Sequence, residues 1–311
     1  MRRTFVVGCP RSGTTIVQAL LARHPAIFTL PETGFFEELH GDLEWRWRDS
    51  RAKSQQRHWR NRVGFARRRV RKIFAGLREQ LVAGSRRPLG VPLLRLRLAR
   101  QFVAMLDRSA QEAGRDMWLE KTPNHLLYID EIEAQLPDAR FVHVVRRGQD
   151  VLASLTDAYL RFENDSVFGG GTVHWARRWN RAVEIHGKHI GRPQHHFVFL
   201  EDLVQDPEAE WVRLCAFLDL PTEVPVDDAC QQTIADLNHE PWKVAAVNGQ
   251  VRKADQKVDR LYGPQMLRWM QSNLASYDDL RGRWRDSQGR GSAAAAPRLR
   301  LAYTSRAARA S

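Results

Sequence analysis

Eight consecutive residues, Gly8-Cys-Pro-Arg-Ser-Gly-Thr-Thr15, have the makings of an anion grip: glycines spaced G-x-x-x-x-G, hydroxyls and one guanidinium, set between an apolar run and a helical one. Strand, tight turn and helix N-terminus in that order aim backbone N–H groups at a bound phosphate. The frame is that of a nucleotide P-loop, except that the position after the second glycine, where that motif carries lysine, is Thr14. Without the ammonium the loop keeps its amide cradle but loses the group that reaches β- and γ-phosphates. Arg11, inside the loop, supplies a cation instead. The residues predict a nucleotide with a short anionic 5′ end, held by Pro10, Arg11, Ser12, Gly13, Thr14 and Thr15.

A second constellation is Val145-Arg-Arg-Gly-Gln-Asp-Val-Leu-Ala-Ser154, where a continuous apolar run ends in Arg146 and Ser154 follows on the next predicted helix. In an open α/β sheet ligands bind outside the carboxyl ends of the strands, so Arg146 should emerge on the same edge as the loop. A guanidinium beside a hydroxyl suits a phosphate monoester. Taken alone, Arg146 reads better as a strand-end ion pair with Asp150 or Glu120. Lys121 ends a neighbouring predicted strand, and Glu32 follows the first strand-helix unit and a short extended segment. By itself Glu32 is an N-cap or surface carboxylate before a helix over 33–39, with Glu37 and Glu38 close by. Among eleven histidines, His24 reads as a helix cap and His143 as a satisfied core imidazole, while His40 and His125 lie near the expected acceptor edge.

These residues need a scaffold that collects strand ends on one edge, and the pattern along the chain supplies one. Apolar runs predict strands over 4–9, 117–120, 140–146 and 196–200, with a short extended segment over 26–30. Helices are predicted over 13–23 and 124–135, from Gln149, over 175–186, from Asp206-Pro207 and over 264–274. The order describes an α/β fold, an open, mostly parallel sheet flanked by helices. Residues 35–114 read as a helical, Arg/Trp-rich insertion or cap, in which Val70, Ile73, Phe74 and Leu77 give an apolar face opposite Arg67-Arg-Arg69 and Arg71-Lys72. Residues 249–262 read as a loop. A single domain over 1–288 with a disordered basic tail over 289–311 is the simplest organisation. Trp175, Trp179 and Trp211 sit at core-like spacings, and for Trp45, Trp47 and Trp59 in the insertion core or cap packing is the better reading, with the lining of an apolar or sugar-binding acceptor pocket as the alternative.

The chain has 311 residues and a formal net charge of +13, which calls for an anionic partner without choosing among nucleic acid, lipid and a small polyanion. No recognised nucleic-acid-reading motif accompanies the arginines. Three scattered cysteines, Cys9, Cys215 and Cys230, make neither a disulfide framework nor a zinc site, and no acidic metal cluster is evident, so no metal is expected. No signal-peptide, anchor or spanning segment is read, and the expectation is a cytoplasmic protein.

Together the two anion sites resemble the 5′-phosphosulfate loop and the 3′-phosphate site of sulfotransferases that use 3′-phosphoadenylyl sulfate (PAPS). The resemblance runs from residue 4 to about 220, through Pro31-Glu-Thr33, Glu120-Lys-Thr-Pro123, Leu136 to Arg146 and Leu200-Glu-Asp-Leu-Val204, and is nearest to the bacterial and tyrosylprotein branches. Two departures stand out: Arg147-Gly148 replaces the Asn-Pro of the best-known cytosolic members, and 35–114 matches no recognised substrate-binding pattern. The resemblance implies PAPS as co-substrate, 3′-phosphoadenosine 5′-phosphate (PAP) as product and a small-molecule, carbohydrate, lipid or peptide acceptor. It implies Glu32 as general base, Arg11 and Lys121 as stabilisers of the leaving phosphate, and Arg146 with Ser154 as the 3′-phosphate site. A P-loop nucleotide kinase and a basic nucleic-acid-binding protein are the alternatives; Thr14 in place of lysine argues against the first.

Overall fold

Alternation in the first strand sets the layers. In β1 (Arg2–Gly8) Phe5 and Val7 enter a core on one face while Val6 enters a second core on the other. The computed structural model describes residues 1–48, 64–81, 90–162, 169–223, 234–235, 244–247 and 257–289. The other strands are β2 (Ile27–Thr29), β3 (Met117–Lys121), β4 (Arg140–Val145) and β5 (His195–Phe199). All pair in parallel in the order β2-β3-β1-β4-β5, so the expected open parallel α/β sheet is present. After β1 the chain moves toward β2, and after β4 toward β5. The switch point therefore falls between β1 and β4, where Gly8 stands opposite Val144.

One face is covered by α1 (Thr14–Leu21), α9 (Leu200–Gln205) and α10 (Pro207–Leu218) around Val17, Leu203, Trp211 and Leu214. The other is covered by α2 (Phe35–His40), α3 (Leu43–Arg46), α4 (Arg68–Leu81), α5 (Arg95–Glu112), α6 (Ile129–Glu133), α7 (Gly148–Phe162) and α8 (Gly171–His189). Helices α2, α4 and α5 come from the 35–114 region, and they fill the core under β1. Phe35 stacks on Phe102 at 3.8 Å, and Phe5 meets Phe36 and Trp118 edge to face. Val70 and Phe74 are buried on α4 and Arg68 and Arg69 are exposed, as its pattern predicts. Trp47, Trp175, Trp179 and Trp211 are buried, whereas Trp45 is 46% exposed, contrary to the packing expected of it.

Three elements depart from expectation. The helix predicted over 124–135 opens instead as a 3-10 segment, Pro123–Tyr128, before α6, because Pro123 at its start and the buried His125, Leu126, Leu127 and Tyr128 hold the chain close under the sheet edge. The predicted loop over 249–262 contains a short helix, α12 (Lys257–Leu261), whose Lys257 and Arg260 both pair with Asp157 of α7. Beyond α13 (Pro264–Asn273) the chain forms α14 (Tyr277–Gly289), which seats Trp284 against Phe197 of β5. Between α10 and α12 lies α11 (Val244–Val247). Trp59, Cys230, residues 249–256 and residues 290–311 of the expected tail lie outside the described residues.

Candidate active site

The loop after β1 owes its shape to two glycines. A Cβ on Gly8 would lie 2.5 Å from the Val144 carbonyl oxygen, so only glycine lets β1 and β4 close at the switch point. Gly13 has φ 99° and lies against Leu200, where a Cβ would meet a methyl at 2.8 Å. Ser12 N–H donates to the Cys9 carbonyl (3.1 Å) and Ile16 N–H to that of Gly13 (3.0 Å), closing the turn and starting α1. Arg11 adopts φ 72°, a left-handed conformation costing a non-glycine residue roughly 1–2 kcal/mol. Cys9 is buried, which pushes its thiol up to about 12, in keeping with a packing residue rather than a nucleophile.

A cavity of about 740 Å³ opens above this loop, lined by Pro10, Arg11, Gly13, Thr14 and Thr15 together with Glu32, Arg146 and Ser154. Of the predicted site residues, Ser12 is buried within the turn and Lys121 lies beneath the cavity wall. Lys121 Nζ, fully buried, pairs with Glu32 Oε1 and donates to Thr15 Oγ1 at 3.3 Å. Arg11 is on the opposite side of the loop, its Nε donating to Ser154 Oγ at 3.2 Å. Arg146 donates to the Arg11 carbonyl at 3.4 Å and stands 4.0 Å from Asp150, the loose ion pair that its sequence position suggested. Burial and then the adjoining Arg146 charge bring the Arg11 guanidinium down to about 10, with Asp157 acting in the opposite sense. Burial lowers Arg146 too, against Asp150 and Glu201. Two partly desolvated guanidiniums side by side favour an anion between them.

Beyond Glu32 the cavity continues past Glu37, Asn124, Leu43, Glu44, Arg69, Trp175 and Arg178. Burial raises Glu37, against the Asn124 amide that donates to its Oε2 at 2.9 Å. Arg178 pairs with Glu44 and stacks over Trp175 at 4.9 Å, and Arg69 pairs with Glu38 at 3.0 Å. Sequence reasoning did not single out Asn124, Glu44 or Arg178 and read Arg69 only as part of a basic helix face, because their partners are far off in the chain.

Among the described residues, no histidine lines this cavity. His24 Nδ1 accepts from Ala26 N–H, and its Nε2 reaches the Pro221 carbonyl at 3.2 Å, tying the end of α1 to the segment after α10. His40 faces Gln135, and burial brings it down to about 4. His125 is fully buried under Phe36. His143, as expected, is a core imidazole: its Nδ1 lies 2.9 Å from His186 Nδ1 and its Nε2 lies 2.8 Å from His195 Nδ1. His195 Nε2 continues the chain to Glu133 Oε1 at 2.8 Å. Glu133, His189 and His195 bring one ligating atom each within 4.8 Å of one another. The Arg192 guanidinium bridges His189 and Glu133, and the His189 and His195 rings are stacked.

The sequence profile described as "Sulfotransferase family" matches residues 4–224. The chain is 22% identical over 271 residues to the protein-tyrosine sulfotransferase A of Caenorhabditis elegans and 24% identical over 271 residues to the protein-tyrosine sulfotransferase of Drosophila melanogaster. Each alignment takes in 86% of this chain but 60% and 46% of those proteins, so the chain spans about half the length of these relatives. Among solved structures, the sulfotransferase domain from the curacin biosynthetic pathway superposes with a TM-score of 0.50 at 17% identity, covering 83% of this chain and 94% of that one. The matched span contains the glycine-framed loop, both strand-end cations and Glu32, and on that profile match the chain belongs to the sulfotransferase family.

Proposed function

We propose that this chain moves a sulfuryl group from PAPS to a hydroxyl or amine of an acceptor and releases PAP. The observation that carries the proposal is the single cavity at the β1/β4 switch point, which joins the lysine-free loop to Arg146, Ser154 and Glu32. The amides of the loop and the hydroxyls of Thr14 and Thr15 would hold the 5′-phosphosulfate, and Arg146 with Ser154 the 3′-phosphate. Glu32 takes the acceptor proton as the acceptor oxygen or nitrogen bonds to sulfur. The bond from sulfur to the bridging oxygen breaks, and the electron pair stays on the phosphate. Lys121, held by Thr15, and Arg11, held by Ser154, flank the loop and take up the charge growing on that oxygen; removing one such donor typically costs about 2.7–4 kcal/mol of barrier.

Among acceptors, the tyrosine hydroxyl is the one that the two animal relatives' names favour. The cavity beyond Glu32 mixes carboxylates, arginines and Trp175. Calorimetry tests the donor assignment. PAP should bind about tenfold or more tightly than AMP, the scale of one charge-assisted hydrogen bond, and Arg146→Ala should abolish that preference. Equal affinity for the two nucleotides in the wild-type chain would sink the reading.

A further inference from the structure

Glu120 plays no part in the chemistry proposed above, yet it is fully buried one residue before Lys121. Its Oε1 accepts from Thr33 N–H (3.2 Å), Thr33 Oγ1 (2.8 Å) and Thr122 Oγ1 (2.6 Å). His125 Nδ1 lies 2.8 Å from Oε2, a close polar contact rather than a well-aligned hydrogen bond. Burial by itself raises this carboxyl, but His125, Thr122 and Thr33 outweigh it and hold Glu120 below the usual carboxylate range.

The same groups hold the start of α2. Thr33 N–H goes to Glu120, Gly34 N–H to Thr122 Oγ1 (3.1 Å), Phe35 N–H to Thr33 Oγ1 (3.1 Å) and Phe36 N–H to His125 Nε2 (3.2 Å). Of these four successive amides, which a helix start leaves without intrahelical partners, three find them on the end of β3 and the segment after it, and the fourth, Phe35 N–H, turns back to the Thr33 hydroxyl that itself donates to Glu120. Nε2 accepts from the Phe36 amide, and Nδ1, the other ring nitrogen, faces the carboxylate. Glu32 is the residue immediately before this clamped run, and Lys121 is the residue immediately after Glu120 on the alternate side of the strand. One buried anion therefore lies a single residue from each partner of the Glu32–Lys121 pair.

We infer that Glu120 is a positioning residue for transfer: as an anion it locks residues 33–36 to the end of β3, so that Glu32 and Lys121 meet in one fixed geometry beneath the loop. A merely structural carboxylate would stabilise the fold without setting the register between base and cation. Displacement of a reacting group by about 1 Å can cost a hundredfold in rate. The inference rests on Glu32 being the base.

The test follows radiolabelled sulfuryl transfer from PAPS to a cell extract, together with PAP calorimetry and thermal unfolding. Glu120→Gln keeps the shape but places an amide N–H₂ among donors. It should lower the rate at saturating PAPS about a hundredfold, with PAP affinity and half-saturating PAPS within twofold of wild type. The acid limb of the pH-rate profile should move to higher pH, as Glu32 loses its fixed contact with Lys121. Thr122→Val, which removes one donor to Glu120 and the acceptor of Gly34 N–H but leaves the Thr33 and His125 contacts, should shift the limb in the same direction by less, and it decides the matter if Glu120→Gln fails to fold. A wild-type rate and profile in the folded variant, or PAP affinity falling in step with rate, overturns the inference. Absence of PAP binding by the wild-type chain, or an undiminished rate in Glu32→Gln, brings down the proposed function and this inference with it.

Discussion

Two sealed polar clusters of this molecule put histidine to different uses. At the end of β3, His125 serves an ionised carboxylate, and the donors around Glu120 belong to a loop that carries a site residue. Between β4, β5 and α8, His143, His186 and His195 pass hydrogen bonds from ring to ring and finish on Glu133. Burial is the leading cause in both clusters, with opposite outcomes. Donors overcome it at Glu120, whereas the imidazoles yield to it: His143 falls well below its ordinary value, and His186 and His195 come down to about 3. The charged cluster can orient neighbours through strong, directional contacts. The neutral one satisfies polar atoms inside a core and joins α8 to the sheet.

The sharpest way to break this comparison is at the cavity. Glu32→Gln should cut sulfuryl transfer by two or more orders of magnitude while PAP affinity stays close to wild type, since a base acts on the acceptor and not on the nucleotide. The same variant should leave in place the histidine-dependent slope of stability between pH 7.5 and 5.5, which lies above the range where a paired carboxylate titrates.

The histidine chain should show the reverse behaviour, dominating acid stability. Its imidazoles are depressed in the fold, so the unfolded chain binds more protons. Their stabilisation is complete above the ordinary value of about 6.5 and declines as pH falls from there toward about 3. Between pH 7.5 and 5.5 urea unfolding should lose about 1 kcal/mol for each such histidine, and His186→Leu should flatten the slope. A slope unchanged by that substitution would remove His186 from the chain. The smallest effect belongs to the rim: Arg192→Ala breaks a half-exposed pair with Glu133 and a contact with His189 and should change stability by under about 1 kcal/mol, whereas a loss beyond about 2 kcal/mol would make Arg192 part of the buried cluster.

The scaffold was legible where chemistry is local. Runs such as Phe141-Val-His-Val-Val145 announce a strand buried on both faces, and the glycine frame with its missing lysine announces the loop. Helix α14 escaped notice because its thirteen residues bury only Tyr277, Leu280 and Trp284, too sparse a stripe against so many charges. The short helix α12 was hidden in a polar stretch, and it docks on α7 through Lys257 and Arg260 on Asp157. In the site, Arg11, Glu32, Lys121, Arg146 and Ser154 could be nominated from motifs, but their pairing could not. Arg11 joins Ser154, whereas the 3′-phosphate reading had paired that serine with Arg146. The bond from Glu120 to Thr33 spans 87 residues, and no periodicity encodes such a contact.

The central place of β1 bears on how the site comes into being. Arg2 lies beside Met117 and Thr4 beside Arg140, so the strand that launches the loop finds both neighbours more than a hundred residues later. Such pairings close large loops of chain, whose closure entropy must be met before the contact rewards it, and they are slow to form. Gly8 can then seat against Val144 only once β4 has arrived. The glycine-framed loop, written at the start of the sequence, takes its shape only with β4 in place, so PAP binding should report completed folding.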